Sequence, residues 1–454
     1  MPGSPGIRNG ATDAMADKRA QTSLLMPWFW PVIVGTLIRI TFVLATATPP
    51  IERRFVADPY VYLKMATWSI RGHWFSGFYG QPSNYLSIGY PFFIAVLRYA
   101  SLNSLSSWQS AMILNILASI FLMIGVSLLA ARIAELIGWQ HEKISLVAVA
   151  AGWVMAVYPD AVVATGLVMS ELLAATFLVW SLVLASKMVS LEQHRIHHWL
   201  GAALVAGLYV FIRPSGLLVP ILIAFAIFLK RRSIGLTLRY IVVSLLPMIP
   251  IFINNLRVGA GLGITSATWP NICDGATNSR GELTRRAVCR APQVDGVNIP
   301  RAEMWDVRIA QKQALHDIHH HFLFWVSRMP VRLFRSLWSG GWATLTSVHW
   351  GQNIFWSRKV LFAYHASMTA FVVLLILVAV GVWCFIRSRH FPLWMFLTVF
   401  IGTLSGVIIT FGQARFGWPL TAVIFIPFAS IGIVYIQDPA LWLRDASCSS
   451  SKVS

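Results

Sequence analysis

An all-α, polytopic helical membrane protein with about ten transmembrane helices is the fold class this chain predicts, and three observations predict it. The set Ala, Val, Ile, Leu, Met, Phe, Trp, Tyr and Cys fills 57% of the 454 positions, against 12% charged residues. Apolar runs of about twenty residues recur, the length a helix needs to cross a hydrocarbon core of about 30 Å. These runs are unbroken and lack the ten-residue alternating pattern of a membrane barrel, so helices are the spanning element.

The first 27 residues are small and polar with no apolar face, and are read as a disordered cytoplasmic N-terminus. Residues 28 to 46 form the first span. It carries Arg39 and ends in Ala45-Thr46-Ala47, superficially a signal-peptidase site, but the long polar lead and the nineteen-residue length fit an uncleaved signal anchor. Further spans are expected at 108–133, 143–158, 170–188, 199–212, 215–229, 238–253, 361–386, 391–411 and 418–436. Lys187 with Arg195, Lys230-Arg231-Arg232, and Arg387 with Arg389 fall on one side, which the positive-inside rule makes cytoplasmic. Both termini, including the tail 438–454, then share that side of a plasma (inner) membrane, and the loops 47–107 and 254–360 lie outside. The pieces 199–212 and 215–229 are each about 21 Å as helix, too short to span with ease. The chain therefore enters and returns, turning at Arg213-Pro214-Ser215-Gly216, and a turn within the membrane must line protein or a wet cavity. Arg213 is expected at such a cavity near the outer face.

The outer loops carry most of the hydrophilic residues. YVYLKMATWSI and GYPFFIAVLRYA in the first, and DIHHHFLFWVSRMPVRLFRSLWS at 317–339 in the second, are aromatic-rich and too short to span, as helices lying at the interface are. Of four cysteines, Cys273 and Cys289 share the second loop, where a disulfide would contribute about 3 kcal/mol in an oxidising compartment. The excess of 36 Lys and Arg over 17 Asp and Glu sits in loops between apolar spans, so its partners are anionic lipids and phosphate groups; no nucleic-acid motif is present.

Asp58 opens the stretch DPYVYLKMA just past the first span. Proline at a first helical position fixes a helical φ, and a carboxylate before it accepts orphan N–H groups, so a capped helix start is the structural reading. Asp160 and Glu171 flank the next outer turn, where each is also compatible with a helix start. Arg39, Arg213 and Arg415 sit in or at the outer ends of apolar segments, where an arginine costs about 3 kcal/mol unless paired or hydrated. Snorkelling to headgroups would satisfy them equally well. His316, Asp317, His320 and His321 fall on neighbouring helical faces at a spacing that can bind zinc, but without a third matching ligand the expected metal site is none.

Five segments in order resemble GT-C glycosyltransferases, in the polyprenyl-phosphate-sugar-dependent branch that includes protein O-mannosyltransferases and aminoarabinose transferases. They are Asp58 with Tyr62, Ala66, Gly72 and GYPFFIAVL at 89–97; YPDAVVATGLVMSELLAA at 158–175; RPSGLLVP at 213–220; INNLRVGAGLGITSATWPNICDGATN at 253–278; and QARFGWPL at 413–420. The sequence departs from the family pattern at Pro59, where a second acidic residue is commoner, and at Asn254-Asn255, where Arg-Asn is. The resemblance implies a GT-C-like domain over 28–437 and sugar transfer, with inversion, from a polyprenyl-phosphate carrier to a glycan, lipid or protein acceptor outside the cytoplasm. It implies Asp58 and Glu171 as catalytic residues and Arg213, Arg415, Lys64, Arg257 and Arg39 as donor-phosphate ligands, with the lipid-linked sugar as substrate and no cofactor. Two other functions fit the spans. A secondary transporter would show inverted repeats and small outer loops. An O-antigen ligase or polymerase would use late-loop residues such as Arg332, Arg335 and His349.

Overall fold

The computed structural model describes residues 29–47, 49, 58–77, 80, 87–190, 196–257, 269, 271–273, 299–343, 357–387, 398–405 and 414–438. They are built from helices, as the apolar runs require. Among the described residues seven helices are long and apolar enough to cross a membrane, or eight if one bent pair counts as a single span, against the expected ten. Two differences account for the gap. Residues 391–411 fall mostly outside the described residues, and the apolar stretch before Arg213 is a shorter helix of its own.

The first span is α1 (Phe29–Thr46). Two short helices follow, α2 (Asp58–Ile70) and α3 (Gly89–Ala100). The longest early helix, α4 (Ser107–Leu136), starts at a capping box: the Gln109 N–H donates to Ser106 Oγ at 3.2 Å and the Ser106 N–H to Gln109 Oε1 at 2.8 Å. Its return partner α5 (His141–Val157) breaks at Tyr158, because Pro159 disfavours helical dihedrals at the preceding residue. Tyr158 accordingly has φ −60° and ψ 115°, and the chain bends by 59° into α6 (Pro159–Thr165).

Then come α7 (Glu171–Ser190), α8 (Ile196–Ile212) and α9 (Leu218–Arg231). Pro214 acts on Arg213 as Pro159 does on Tyr158, giving it φ −133° and ψ 86°, and a single 3-10 turn, Pro214–Gly216, reverses the chain where the sequence predicts a turn. Gly216 is required there: a Cβ would lie 2.2 Å from Cε1 of the Tyr209 ring. Continuing, α10 (Ile234–Leu245) and α11 (Ile249–Arg257) are joined by a 3-10 turn containing Pro247. Between this pair and the last spans lie α12 (Ile299–His320), α13 (Phe322–Ser327) and α14 (Met329–Leu337). The chain ends with α15 (Ser357–Arg387), a helical stretch at 398–405, α16 (Ala414–Leu420) and α17 (Ile426–Gln437). Pro419 and Pro427 each lack a backbone donor, and the helix widens between them into a π-helical turn, Thr421–Phe425.

One continuous core joins these helices. Within it α4 packs on α5 and α7, α7 on α8, and α17 on α4, α5 and α15. Small residues carry the close approaches, as expected where lipid removes the hydrophobic drive between helices. Ala118, Ala130, Ala151, Ala174 and Ala206 are fully or almost fully buried. Side chains such as Leu44, Phe225, Val242, Phe362 and Ile376 point outward, which is ordinary for a multi-pass membrane protein facing acyl chains.

The two ends of the bundle differ. At one, Lys143 Nζ meets Asp438 Oδ2 at 2.6 Å and Arg231 Nη2 donates to the Met188 carbonyl at 3.0 Å. This is the end the positive-inside rule assigns to the cytoplasm. At the other end α6 passes into α7 and α8 turns into α9, and Asp160, Glu171 and Arg213 are buried there.

Candidate active site

Glu171 is the first residue of α7 and Arg213 the last before the Pro214 turn, so both lie at the same end of adjacent helices. Glu171 is 3% exposed and Arg213 8%, and Arg213 Nη1 stands 3.9 Å from Glu171 Oε1. The arginine thus has the partner that its place in an apolar run demands. The second carboxylate oxygen, Glu171 Oε2, is buried with no hydrogen-bond partner among the described residues. A buried acceptor of this kind is available to a hydroxyl or cation brought from outside.

Asp58 begins α2 and is half-buried, with Pro59 behind it as the helix start predicts. One turn on, the Tyr62 ring meets the Tyr90 ring edge-on at 5.4 Å between centroids. The buried Tyr90 hydroxyl donates to Asn115 Oδ1 at 3.0 Å, and Asn115 Nδ2 donates to the Leu167 carbonyl at 2.6 Å and the Thr165 carbonyl at 3.3 Å. Burial first, with the charge of Glu171 among smaller effects, holds the Tyr90 hydroxyl above its ordinary pKa. The helix that carries Asp58 therefore packs through the Tyr62 ring on Tyr90, whose hydroxyl enters a buried polar network that reaches the turn leading to Glu171.

Of the remaining predicted residues, Arg415 lies on α16, which packs against α7 and α14; its side chain lies outside the described residues. Lys64 sits on α2 with its ammonium 5.3 Å from the centre of the Tyr60 ring, and Arg257 is exposed at the end of α11. Arg39 is not brought to Glu171 and Arg213. Fully buried, it donates through Nη1 to the Ala156 carbonyl at 2.9 Å and the Gly35 carbonyl at 3.0 Å, and through Nη2 to the Met155 carbonyl at 2.7 Å. The carbonyls at 155 and 156 belong to the last turn of α5, where orphan acceptors and the negative end of the helix dipole attract a cation. This geometry suits a cation that caps the end of α5.

Asp160 is fully buried and its Oδ1 accepts from the Ala343 N–H at 3.1 Å, holding the segment after α14 against α6. The same segment is fastened by the Ser339–Thr421 hydroxyl pair at 3.0 Å and by Trp342 against Trp418, ring centroids 5.8 Å apart. In α14, Arg332 is buried with its guanidinium 5.7 Å from the Trp325 ring; burial, then Arg328, lowers its pKa. His316 and His320 lie ring to ring at 4.3 Å, and no group of three metal-ligating side chains exists among the described residues. Cys273 is disulfide-bonded; Cys289, its expected partner, lies outside the described residues.

Tyr90 and Asn115 are not singled out by residue type in the sequence. The signal for Asn115 is present as an amide inside an apolar thirty-residue helix, where such a group must find a partner.

The fold has neighbours among solved structures. An oligosaccharyltransferase from Archaeoglobus fulgidus, in complex with Zn and sulfate, is similar with a TM-score of 0.51 at 14% identity, over 90% of this chain and 49% of its own. The likeness is one of fold. The oligosaccharyltransferase AglB from the same organism, in complex with an inhibitory peptide and a dolichol-phosphate, superposes with a TM-score of 0.48 at 13% identity, over 93% of this chain and 52% of its own. ArnT from Cupriavidus metallidurans, bound to undecaprenyl phosphate, gives 0.41 at 14% identity, over 90% and 78%. The chain spans about half the length of the archaeal proteins. No family model matches it, and no curated protein matches it in sequence.

Proposed function

We propose that the protein is a membrane glycosyltransferase that moves a sugar from a polyprenyl-phosphate carrier to a glycan, lipid or protein acceptor outside the cytoplasm. The observation that carries this reading is the buried Glu171–Arg213 pair, linked through α3 to the helix that begins at Asp58. A secondary transporter would concentrate such charges near mid-membrane. The GT-C resemblance in five ordered segments and the fold likeness to an oligosaccharyltransferase support the same reading.

In the proposed reaction an acceptor hydroxyl attacks the anomeric carbon as the bond from that carbon to the carrier phosphate breaks. Asp58 accepts the hydroxyl proton as general base, its carboxylate at the start of α2 being partly open to an incoming acceptor. The departing polyprenyl phosphate needs no proton but gains charge, which a fixed guanidinium stabilises; Arg213 takes that role. Glu171 aligns Arg213 with one oxygen and offers the other to a substrate hydroxyl. Arg415, Lys64 and Arg257 are assigned as outlying phosphate ligands, and Arg39 as a scaffold residue.

The test uses purified protein in lipid nanodiscs with a panel of polyprenyl-phosphate sugars. Asp58→Asn is expected to lower kcat by about 10² to 10⁴. Full transfer by Asp58→Asn on every donor the wild type uses would overturn the assignment and favour a ligase-type enzyme.

A further inference from the structure

The start of α3 touches each of the three elements that carry the charged residues. Ser87 Oγ donates to the Ile212 carbonyl at 2.6 Å and the Phe211 carbonyl at 3.1 Å, the last two residues before Arg213. Gly89 lies so close that an added Cβ would meet the Phe211 carbonyl oxygen at 2.4 Å, so α3 rests directly on the end of α8. Tyr90 reaches the other two. Its ring meets Tyr62, one turn from Asp58, and its hydroxyl bonds Asn115, which in turn holds the carbonyls of Thr165 and Leu167 in the turn leading to Glu171. Tyr62, Gly89, Tyr90 and Asn115 are all buried, and Ser87 is half-buried.

Resting on the transferase reading above, we infer that Ser87, Gly89, Tyr90 and Asn115 are positioning residues that set the spacing of Asp58, Glu171 and Arg213. None of them needs to touch substrate. Their action is geometric: a hydrogen-bonded hub fixes where two carboxylates and one guanidinium stand relative to the reacting bond. A displacement of about 1 Å at such groups costs on the order of 10² in rate.

The sharpest probe is Tyr90→Phe, which keeps the ring packing and removes only the hydroxyl. In nanodiscs with the donor panel, its kcat should fall by about 10-fold or more with the donor KM unchanged. In a Glu171→Gln background the same substitution should have almost no further effect, because groups acting through one another are not additive. A merely destabilising substitution would reduce both backgrounds equally. Gly89→Ala should lower kcat in the same way, and Ser87→Thr, which retains a hydroxyl, should restore most of what Ser87→Ala loses.

A readout independent of turnover accompanies these assays. Spin labels on Arg71→Cys and Ser215→Cys, both exposed positions on either side of the hub, should give a sharp distance distribution that broadens or shifts in Tyr90→Phe. An unchanged distribution overturns the inference even if the protein transfers no sugar, and so does a kcat loss that is additive with Glu171→Gln. Absence of transfer by the wild type, with the distance shift intact, overturns the transferase reading alone.

Discussion

Arg213 and Glu171 are both buried and 3.9 Å apart, so removing either leaves the other as a buried charge deprived of this ion pair. Arg213→Met is expected to destabilise the protein by about 3 to 5 kcal/mol, read as thermal unfolding in detergent. Replacing both, as Glu171→Leu with Arg213→Met, should recover most of that stability while transfer stays lost. A different outcome is expected at Arg39. Arg39→Met strips three carbonyls of their donor, and should cost about 2 kcal/mol of stability with polyprenyl-phosphate affinity unchanged. At this scale the sequence was legible wherever a charge bordered or interrupted an apolar run, since a lone charge there must be paired or functional. Asp58, Glu171 and Arg213 were marked in that way. The partners of Arg39 were not, because the end of α5 reaches it only through packing of residues more than a hundred positions apart. Tyr90 stayed hidden because a tyrosine in an aromatic-rich segment reads equally well as an interfacial anchor.

Breaks in the helices were readable to the extent that proline makes them. Pro159 and Pro214 placed the bend at Tyr158 and the turn at Arg213 where local sterics require, and these breaks deliver Glu171 and Arg213 to the same end. Helix crossings were not readable, since they depend on which glycine meets which backbone. In the contact of α15 with α17, a Cβ on Gly381 would lie 1.9 Å from the Phe428 carbonyl oxygen and one on Gly432 would lie 2.3 Å from the Leu377 carbonyl oxygen. The two glycines let these backbones approach one another as small residues do in membrane bundles. Gly381→Leu is therefore expected to abolish the monodisperse folded peak in fluorescence-detected size exclusion, whereas a lipid-facing change such as Ile376→Leu should leave it intact.

Across the whole molecule the expected all-α, multi-pass architecture holds, with fewer spans among the described residues than the apolar runs suggested. Hydropathy marks apolar segments, but whether two short neighbours make one bent crossing or an entry and a return is decided by the tertiary arrangement. The two ends yield a direct test of orientation. Ser215→Cys should react with a membrane-impermeant maleimide on intact cells, and Lys230→Cys should react only after permeabilisation. Cys384 is buried and outside any disulfide and Cys273 is disulfide-bonded, so neither adds to the background, and the unsubstituted chain measures what the other two cysteines contribute. Labelling of Lys230→Cys from outside would invert the topology and place Asp58 on the cytoplasmic face.

The ion pair at the mouth of α7 and α8 also bears on how the protein would cycle. A guanidinium already matched by its own carboxylate offers an arriving anion a place to share and imposes no unmet charge once that anion leaves. Discharged carrier would then depart as readily as fresh carrier enters, a balance that suits repeated turnover in a membrane crowded with acidic headgroups better than tenacious capture would.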